Sequence, residues 1–236
     1  MREAVRRRLV IRHRGTMPRA AERPERVKPE IPEACPLEHW RGSEVVCIAS
    51  GPSLTQADVE LVKAWRYDMA WRRVIVTNNT WKIAPWADAM FAMDLPWWQT
   101  YHSEVERGYK GLRFTQHSQG DRYGALNLRK RVRGYRNYKN TGACAVAAAI
   151  HLGATRVVML GYDGCKVAGK AHWHDDHPKG LGNAGSVKRW PKDLDLVKDL
   201  ALRTRGLKVV NASRNSVFRH FERQELEQAL AWTAAT

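Results

Sequence analysis

Three histidines and two aspartates stand close together in the segment His172-Trp173-His174-Asp175-Asp176-His177. An imidazole takes up or releases a proton near neutral pH, so a histidine here can act as a general base. Histidines at this spacing can also bind zinc. We favour a catalytic histidine over a metal site, because one polar segment offers no distant partner to complete a ligand set. A polar loop without chemistry is the third alternative.

Within this segment, His174 and His177 are better candidates for the base than His172. Asp175 and Asp176 lie beside them in the sequence and could orient an imidazole ring and raise its basicity. The sequence therefore predicts a histidine base and no bound metal.

A second group of residues has the composition of an anion site. Ser50-Gly51-Pro52-Ser53 follows the apolar run Val45–Ile48 and precedes Thr55-Gln56-Ala57-Asp58, which is typical of a helix start. A strand, a turn of small residues and a helix together direct backbone N–H groups at a ligand, and phosphate binds at such helix starts. The segment matches neither the P-loop nor Gly-x-Gly-x-x-Gly. An ordinary strand-to-helix loop is the alternative.

The elements that would position these residues alternate between strand and helix along the chain. We predict strands at 45–48, 74–77, within 87–94, at 157–160 and at 207–211, and helices at 55–65, 141–153, 193–205 and 222–232. This alternation predicts an α/β fold with a Rossmann-like, mostly parallel sheet and helices on both faces. Residues 1–41 are predicted to form a basic arm rich in proline and arginine, and residues 42–236 a nucleotide-binding domain with a lid at about 165–191.

Ligands of such sheets bind beyond the carboxyl ends of the strands. Small, amide, hydroxyl or carboxylate residues follow five predicted strands here, at Ser50–Ser53, Asn78, Asp94, Asp163 and Ser213. This convergence predicts a nucleotide site, with the phosphates at Gly51 and its neighbours and the ribose or base at Asn78 and Asp94.

The charge of the chain favours an anionic partner. Its 236 residues carry a formal net charge of +16, with a pI of about 10.1. Ten Lys or Arg and one Asp lie between residues 107 and 139, interleaved with four tyrosines. This composition suits a nucleic acid, with Arg129, Lys130, Arg131 and Arg133 as the phosphate contacts. A solvated loop whose tyrosines pack on the core is the equal alternative.

Cysteine usage and hydropathy favour a cytoplasmic protein. The four cysteines are far apart and contain no Cys-x-x-Cys pair, which is typical of free thiols in a reducing compartment. No apolar run is long enough to span a membrane, and the charged N-terminus lacks the apolar core of a secretory signal.

The series Val46–Leu54, Asn78, Asp94, Thr141-Gly142 and Val158–Asp163 resembles the bacterial sialyltransferases of glycosyltransferase family 42. It is also similar to the MptE-like group, which includes archaeal 6-hydroxymethylpterin diphosphokinase and motility accessory factors, and to small phage-borne proteins. The resemblance covers roughly residues 44–165.

The resemblance implies a role for each matching residue. Gly51, Pro52 and Ser53 would lie at the nucleotide phosphates and Asn78 at the nucleotide or its sugar, while Asp94, Thr141 and Gly142 would lie near the donor. Asp163 would be the acidic residue at the strand end, and His172, His174 or His177 would be the base.

Three functions are therefore open. The preferred one is group transfer from a nucleotide-activated donor, most simply glycosyl transfer, with the nucleotide or nucleotide-sugar as substrate and no tightly bound cofactor. The alternatives are an ATP-dependent diphosphokinase, with Mg²⁺ held by carboxylates such as Asp94 and Asp163, and a non-catalytic nucleic-acid-binding protein. The sequence identifies neither the donor sugar, the acceptor nor the oligomeric state.

Overall fold

The structure is a computed structural model that describes residues 37–182, 185 and 187–231. Most of the predicted basic arm, residues 1–36, lies outside this range. The last part of that segment, Leu37–Trp40, is a short 3₁₀ helix. Trp40 is 2% exposed and packs on Phe114, with ring centroids 6.0 Å apart. These residues therefore pack against the domain core.

In the part of the chain that the structure describes, eight parallel strands form one sheet in the order β5-β4-β3-β2-β1-β6-β7-β8. The strands are β1 Glu44–Ile48, β2 Arg72–Thr77, β3 Ala89–Phe91, β4 Leu112–Thr115, β5 Leu126–Asn127, β6 Arg156–Leu160, β7 Lys208–Asn211 and β8 Glu222–Arg223. Every residue of β1 and β6 is buried, as expected for central strands that are covered on both faces. The predicted α/β class and parallel sheet are confirmed.

Among the described residues, six helices cover the two faces of the sheet. They are α1 Gln56–Asp68, α2 Leu95–Gly108, α3 Leu128–Arg131, α4 Thr141–His151, α5 Trp190–Arg203 and α6 Leu226–Ala231. Side chains of β1 alternate between the two faces, because successive residues of a strand point in opposite directions. Val45 and Cys47 join the apolar cluster that contains α4 and α5, whereas Val46 and Ile48 join the cluster of α1, α2 and α6.

Local sequence explains where the helix after the first strand begins and where the central helix ends. Thr55 caps α1 in a capping box, since its hydroxyl accepts from the Asp58 N–H and the Asp58 carboxylate accepts from the Thr55 N–H. Helix α4 is rich in alanine, is buried over most of its length, and ends before Gly153, whose φ is +93°.

Two helix predictions differ from the structure. The helix predicted at 193–205 begins three residues earlier, at Trp190, with Pro191 in its first turn, a position that tolerates proline. The helix predicted at 222–232 is wrong over its first residues, because Glu222–Arg223 pairs with β7 as a short edge strand and α6 begins at Leu226.

The segment predicted as a lid is irregular in its first part. Its described residues contain an isolated bridge between Val167 and Lys170 and a 3₁₀ helix at Val187–Arg189 before α5. The N–H of Trp173 donates to the carbonyl of Ser50 over 3.1 Å. This hydrogen bond joins the segment to the turn that follows β1.

Candidate functional site

The ends of the central strands lie at one level. In the sheet register Ile48 pairs with Val76 on one side and with Leu160 on the other. The residues that follow β1, β2 and β6 are therefore neighbours in space, although more than a hundred positions separate the first from the last. This alignment brings Ser50, Asn78 and Asp163 to one edge of the sheet.

Gly51 allows two strand-end loops to touch. Its N–H donates to the Gly161 carbonyl over 2.8 Å, and a Cβ at position 51 would lie only 2.3 Å from that oxygen. The same Cβ would lie 2.8 Å from Cγ of Asp163. The glycine is thus required by the protein's own packing, before any ligand is considered.

Asp163 holds the Ser50–Ser53 turn in place. One carboxylate oxygen accepts from the Ser53 N–H over 2.7 Å, and the other accepts from the Ser53 hydroxyl over 2.6 Å. The residue is 1% exposed. Hydrogen bonds to a carboxylate are stronger than neutral ones, so this pair fixes the turn that follows β1. These contacts show that Asp163 holds the turn, and its catalytic role stays a prediction.

Asn78 and Asp94 present polar groups that the protein does not use. Asn78 has a left-handed backbone with a φ of +44°, which asparagine tolerates, and its buried Oδ1 has no hydrogen-bond partner among the described residues. Asp94 occupies the N-cap position of α2, yet its side chain makes no capping hydrogen bond. Desolvation by the surrounding protein raises the pKa of the Asp94 carboxyl, and His117 opposes this shift. Both side chains can therefore accept or share hydrogen bonds with a ligand.

The start of α4 supplies the positive end of a helix dipole. Asn140 caps this helix, since its Oδ1 accepts from the Ala143 N–H over 3.0 Å. Gly142 packs under the ring of Tyr162, whose hydroxyl donates to the Gly142 carbonyl over 3.1 Å. A Cβ at position 142 would lie 2.8 Å from that ring. The N-terminus of this buried helix favours a negative group beside Thr141 and Gly142.

These elements enclose a cavity of about 500 Å³. Most of the predicted site residues line it, namely Ser50, Gly51, Pro52, Asn78, Asp94, Thr141, Gly142, Asp163, His172 and His177. Ser53 and His174 are not part of its described wall. The volume is in the range of small-molecule and cofactor sites. The structure therefore brings the candidate residues together in one concave place.

His172 faces this cavity and is held by the turn after β1. It is 8% exposed, and its Nδ1 lies 3.1 Å from the Ser50 hydroxyl. Its Nε2 is buried and has no hydrogen-bond partner among the described residues. A buried nitrogen without a partner is a favourable place for a ligand hydroxyl, because the missing hydrogen bond is costly.

The three histidines form a compact cluster. Ring centroids are 5.0 Å apart for His172 and His174, 5.4 Å for His172 and His177, and 5.0 Å for His174 and His177. Burial lowers the pKa of all three imidazoles, and the pKa of His172 falls to about 4 because the other two rings also disfavour its charge. The rings are therefore neutral near pH 7. Within the described ranges, no group of three His, Cys, Asp or Glu has the geometry to hold a metal ion.

A chain of hydrogen bonds sets the tautomer of His177. Trp97 Nε1 donates to Asn79 Oδ1 over 3.1 Å, so the Asn79 amide group must direct its NH₂ the other way. That NH₂ lies 3.4 Å from His177 Nδ1, and the Tyr101 hydroxyl lies 3.3 Å from the same nitrogen. This arrangement favours the tautomer in which Nδ1 is the acceptor and the ring proton is on Nε2. In this tautomer His177 donates a hydrogen bond through Nε2 and does not act as a base there.

Several residues of the site were missed from the sequence. Lys139, Asn140 and Tyr162 line the cavity, and Asn79 and Tyr101 contact His177. Asn140 could have been found, because asparagine directly before a Thr-Gly helix start is a preferred N-cap. Asn79 follows a strand and stands next to Asn78. No local pattern marks Tyr101, since its role depends on the packing of α2.

The predicted nucleic-acid contacts lie outside the described wall of the cavity. Arg129, Lys130, Arg131 and Arg133 are exposed, and Lys130 lies 3.6 Å from Asp121. The interleaved tyrosines do not form a stacking surface: Tyr109, Tyr135 and Tyr138 are buried in the core, and Tyr123 stacks on Trp98. They pack inward because apolar rings gain more from the core than from water. The tyrosines therefore pack on the core, as the second of the two alternatives describes, and nucleic-acid binding by the four cations stays a prediction.

The solved structures that are similar to this chain include a sialyltransferase. A sialyltransferase CstII from Campylobacter jejuni, solved in complex with the substrate analogue CMP-3FNeuAc, aligns with 77% of this chain and 85% of its own. The identity is 14% and the TM-score is 0.47. No family model and no curated protein sequence match this chain. Among the described residues, no helix has the length and hydropathy required to cross a membrane.

Proposed function

We propose that this protein transfers a group from a nucleotide-activated donor, and that the donor is a nucleotide-sugar. The observation that supports the proposal is the cavity at the sheet edge, whose described wall combines Ser50, Gly51 and Pro52 of the turn after β1, the N-terminus of α4 and two histidines of the predicted lid. Anion-binding backbone and neutral imidazoles in one concave site are what such a transfer requires.

The phosphate-binding part is built mainly from backbone. The N-terminus of α4 and the nearby Lys139 would stabilise the negative charge of the departing nucleotide phosphate. Asn78 and Asp94 would accept hydrogen bonds from the nucleoside. The transfer then breaks the bond between the anomeric carbon and the phosphate oxygen, whose electron pair leaves with the nucleotide.

His172 is the best placed base. We assign its Nδ1–H to the Ser50 hydroxyl, which leaves the Nε2 lone pair to take the proton of the acceptor hydroxyl as that oxygen attacks the anomeric carbon. This assignment replaces the preference for His174 or His177. His174 is not in the described cavity wall, and the Nε2 of His177 carries a proton in the tautomer set by Asn79.

The competing diphosphokinase would use Asp94 and Asp163 as ligands of Mg²⁺. Each oxygen of Asp163 already accepts one hydrogen bond from Ser53, so Mg²⁺ would have to share this carboxylate with the turn after β1. The two functions differ in the nucleotide that binds and in the need for a divalent ion, and one binding experiment separates them.

The first experiment measures nucleotide binding by isothermal titration calorimetry with CMP, UDP, ADP and ATP, each with and without Mg²⁺. Binding of CMP or UDP would support the proposal if the Asp94→Asn variant binds the nucleotide more weakly. The control variant, Asp121→Asn at an exposed position, should bind it with unchanged affinity. Binding of ATP only with Mg²⁺ would favour the kinase. If no nucleotide binds, the proposed site is refuted.

The second experiment tests the base with the donor that binds, using release of the nucleotide in the presence of acceptor as the assay. His172→Gln should lower turnover by roughly 10²–10⁴-fold while donor affinity changes little. His174→Gln is the matched control and should stay within a few fold of the unsubstituted protein. Equal losses in both variants would contradict the assignment.

A further inference from the structure

A second cavity of about 220 Å³ lies at the opposite end of α4 from the first. Thr141, at the start of α4, lines the first cavity, whereas His151, at its end, lines the second. The two residues are separated by roughly 15 Å along the helix axis, at 1.5 Å per residue. The two cavities share no described lining residue, so the second is a separate place on the protein.

Positive groups dominate the wall of the second cavity. Arg136 precedes α4 and Arg203 ends α5, and both line the cavity together with His151. Neither arginine forms an ion pair within 4.0 Å among the residues that the structure describes. Asp199 is the one carboxylate in the described wall.

Tyr138 also lines the cavity, together with both arginines. Burial and the nearby Cys144 thiol raise the pKa of this phenol, while the positive charges of Arg136 and Arg203 both act to lower it. Two arginines on different elements, one before α4 and one in α5, therefore share a described cavity wall with this phenol.

His151 adds an unused polar nitrogen. Its Nε2 is buried and has no hydrogen-bond partner among the described residues. The ring packs on Tyr135 with centroids 5.5 Å apart, and burial and the charge of Arg136 lower the pKa of the imidazole. Gly134, with a φ of +82°, lies over the ring, and a Cβ there would come to 3.7 Å from Cε1 of His151. The neutral ring offers one nitrogen to a ligand.

We propose that this cavity binds a phosphate group, which Arg136 and Arg203 hold from two sides while Tyr138 and His151 complete its hydrogen bonds. Guanidinium groups match the geometry of phosphate oxygens and keep their charge at every physiological pH. A volume of about 220 Å³ holds a phosphate and leaves room for a small part of the molecule that carries it. The site is distinct from the proposed transfer site and does not depend on it.

The test uses isothermal titration calorimetry with inorganic phosphate and with ribose 5-phosphate at low salt. Binding of both probes assigns recognition to the phosphate group alone, and binding of the ester only shows that the attached group contributes. Arg136→Gln and Arg203→Gln should each weaken binding by at least tenfold, and Arg136→Lys should recover only part of it. Asp199→Asn should tighten binding, because the cavity loses its opposing charge.

Two controls identify the cavity that binds. Arg131→Gln removes the same charge at an exposed position and should change the affinity less than about threefold, as expected for weak surface electrostatics. Lys139→Gln removes the cation of the first cavity, and a loss of phosphate binding in this variant with none in Arg203→Gln would place the anion in the first cavity and overturn the proposal. Each variant must retain the melting temperature of the unsubstituted protein. If neither probe binds at millimolar concentration, or if binding survives Arg203→Gln, the proposal is overturned.

Discussion

The substitution Asp163→Asn tests whether the Asp163 carboxylate has a structural role or a catalytic one. Asparagine can accept from the Ser53 N–H with its oxygen and donate to the Ser53 hydroxyl with its NH₂, so the geometry of the turn survives without the charge. A hydrogen bond to a charged group contributes about 1.5–3 kcal/mol and a neutral one about 0.5–1.5 kcal/mol. Replacing two charged bonds with two neutral ones therefore predicts a fall of about 2 kcal/mol in the free energy of unfolding.

Urea denaturation at pH 7.5 measures this fall as a shift in midpoint at constant m-value. For a domain of this size it corresponds to a decrease of roughly 4–8 °C in melting temperature. Asp163→Ala removes both bonds, leaves the Ser53 N–H unsatisfied and should be more damaging than Asp163→Asn. Asp121→Asn, at an exposed position, is the control and should change stability by less than about 0.5 kcal/mol.

The last measurement in this experiment is the kcat of the Asp163→Asn variant. If Asp163 only positions the turn, Asp163→Asn keeps kcat within a few fold, although donor affinity falls as the turn loosens. Two results would refute the reasoning. One is unchanged stability in Asp163→Asn, which would mean that the carboxylate does not hold the turn. The other is a stable protein whose kcat falls by a hundredfold or more, which would mean that Asp163 takes part in the chemistry.

Charge and packing give three further predictions. Burial lowers the pKa of His172 to about 4, against an ordinary 6.5, so the unfolded chain takes up a proton that the folded site excludes, and the fold loses up to about 3 kcal/mol of stability as the pH falls from 6.5 towards 4; the pH dependence of urea unfolding should flatten in His172→Gln. Gly51→Ala should destabilise the protein by about 1–3 kcal/mol or more, because its Cβ meets the Gly161 carbonyl, whereas Gly182→Ala, which meets nothing within 4 Å, should not. Replacing Arg129, Lys130, Arg131 and Arg133 with glutamine should reduce the log–log salt slope of binding to single-stranded DNA by about 0.7 for each phosphate that the variant no longer neutralises.

The elements that were predicted best from the sequence are those that local sequence patterns determine. The apolar run of β1, the Thr55–Asp58 capping box and the alanine-rich α4 are local patterns, and each forms an element close to its predicted place. The convergence of Ser50, Asn78 and Asp94 also followed from sequence, because a parallel sheet aligns its strand ends.

Features that depend on tertiary packing could not be predicted. The two-residue strands β5 and β8 have no periodicity of their own and exist because β4 and β7 offer an edge to pair with. Tyr109 and Tyr138 are buried, although basic residues surround them in the sequence, since only the fold determines which way a ring points. Asp163 looked like a free acid at a strand end, and its engagement by Ser53, 110 residues away, is visible only in three dimensions.

The distribution of charge favours more than one anion-binding site on this chain. A net charge of +16 predicts an anionic partner, yet Lys139 is the one Lys or Arg in the described wall of the main cavity. That cavity relies on the N-terminus of α4 instead, and fixed backbone dipoles stabilise negative charge without the rotamer entropy of a long side chain. The exposed cations lie elsewhere, and two of them, Arg136 and Arg203, line the second cavity. Anion binding at the second cavity should therefore weaken steeply with added salt, because salt screens exposed arginines. Binding of the donor at the first cavity should depend less on salt, because buried backbone dipoles are screened much less.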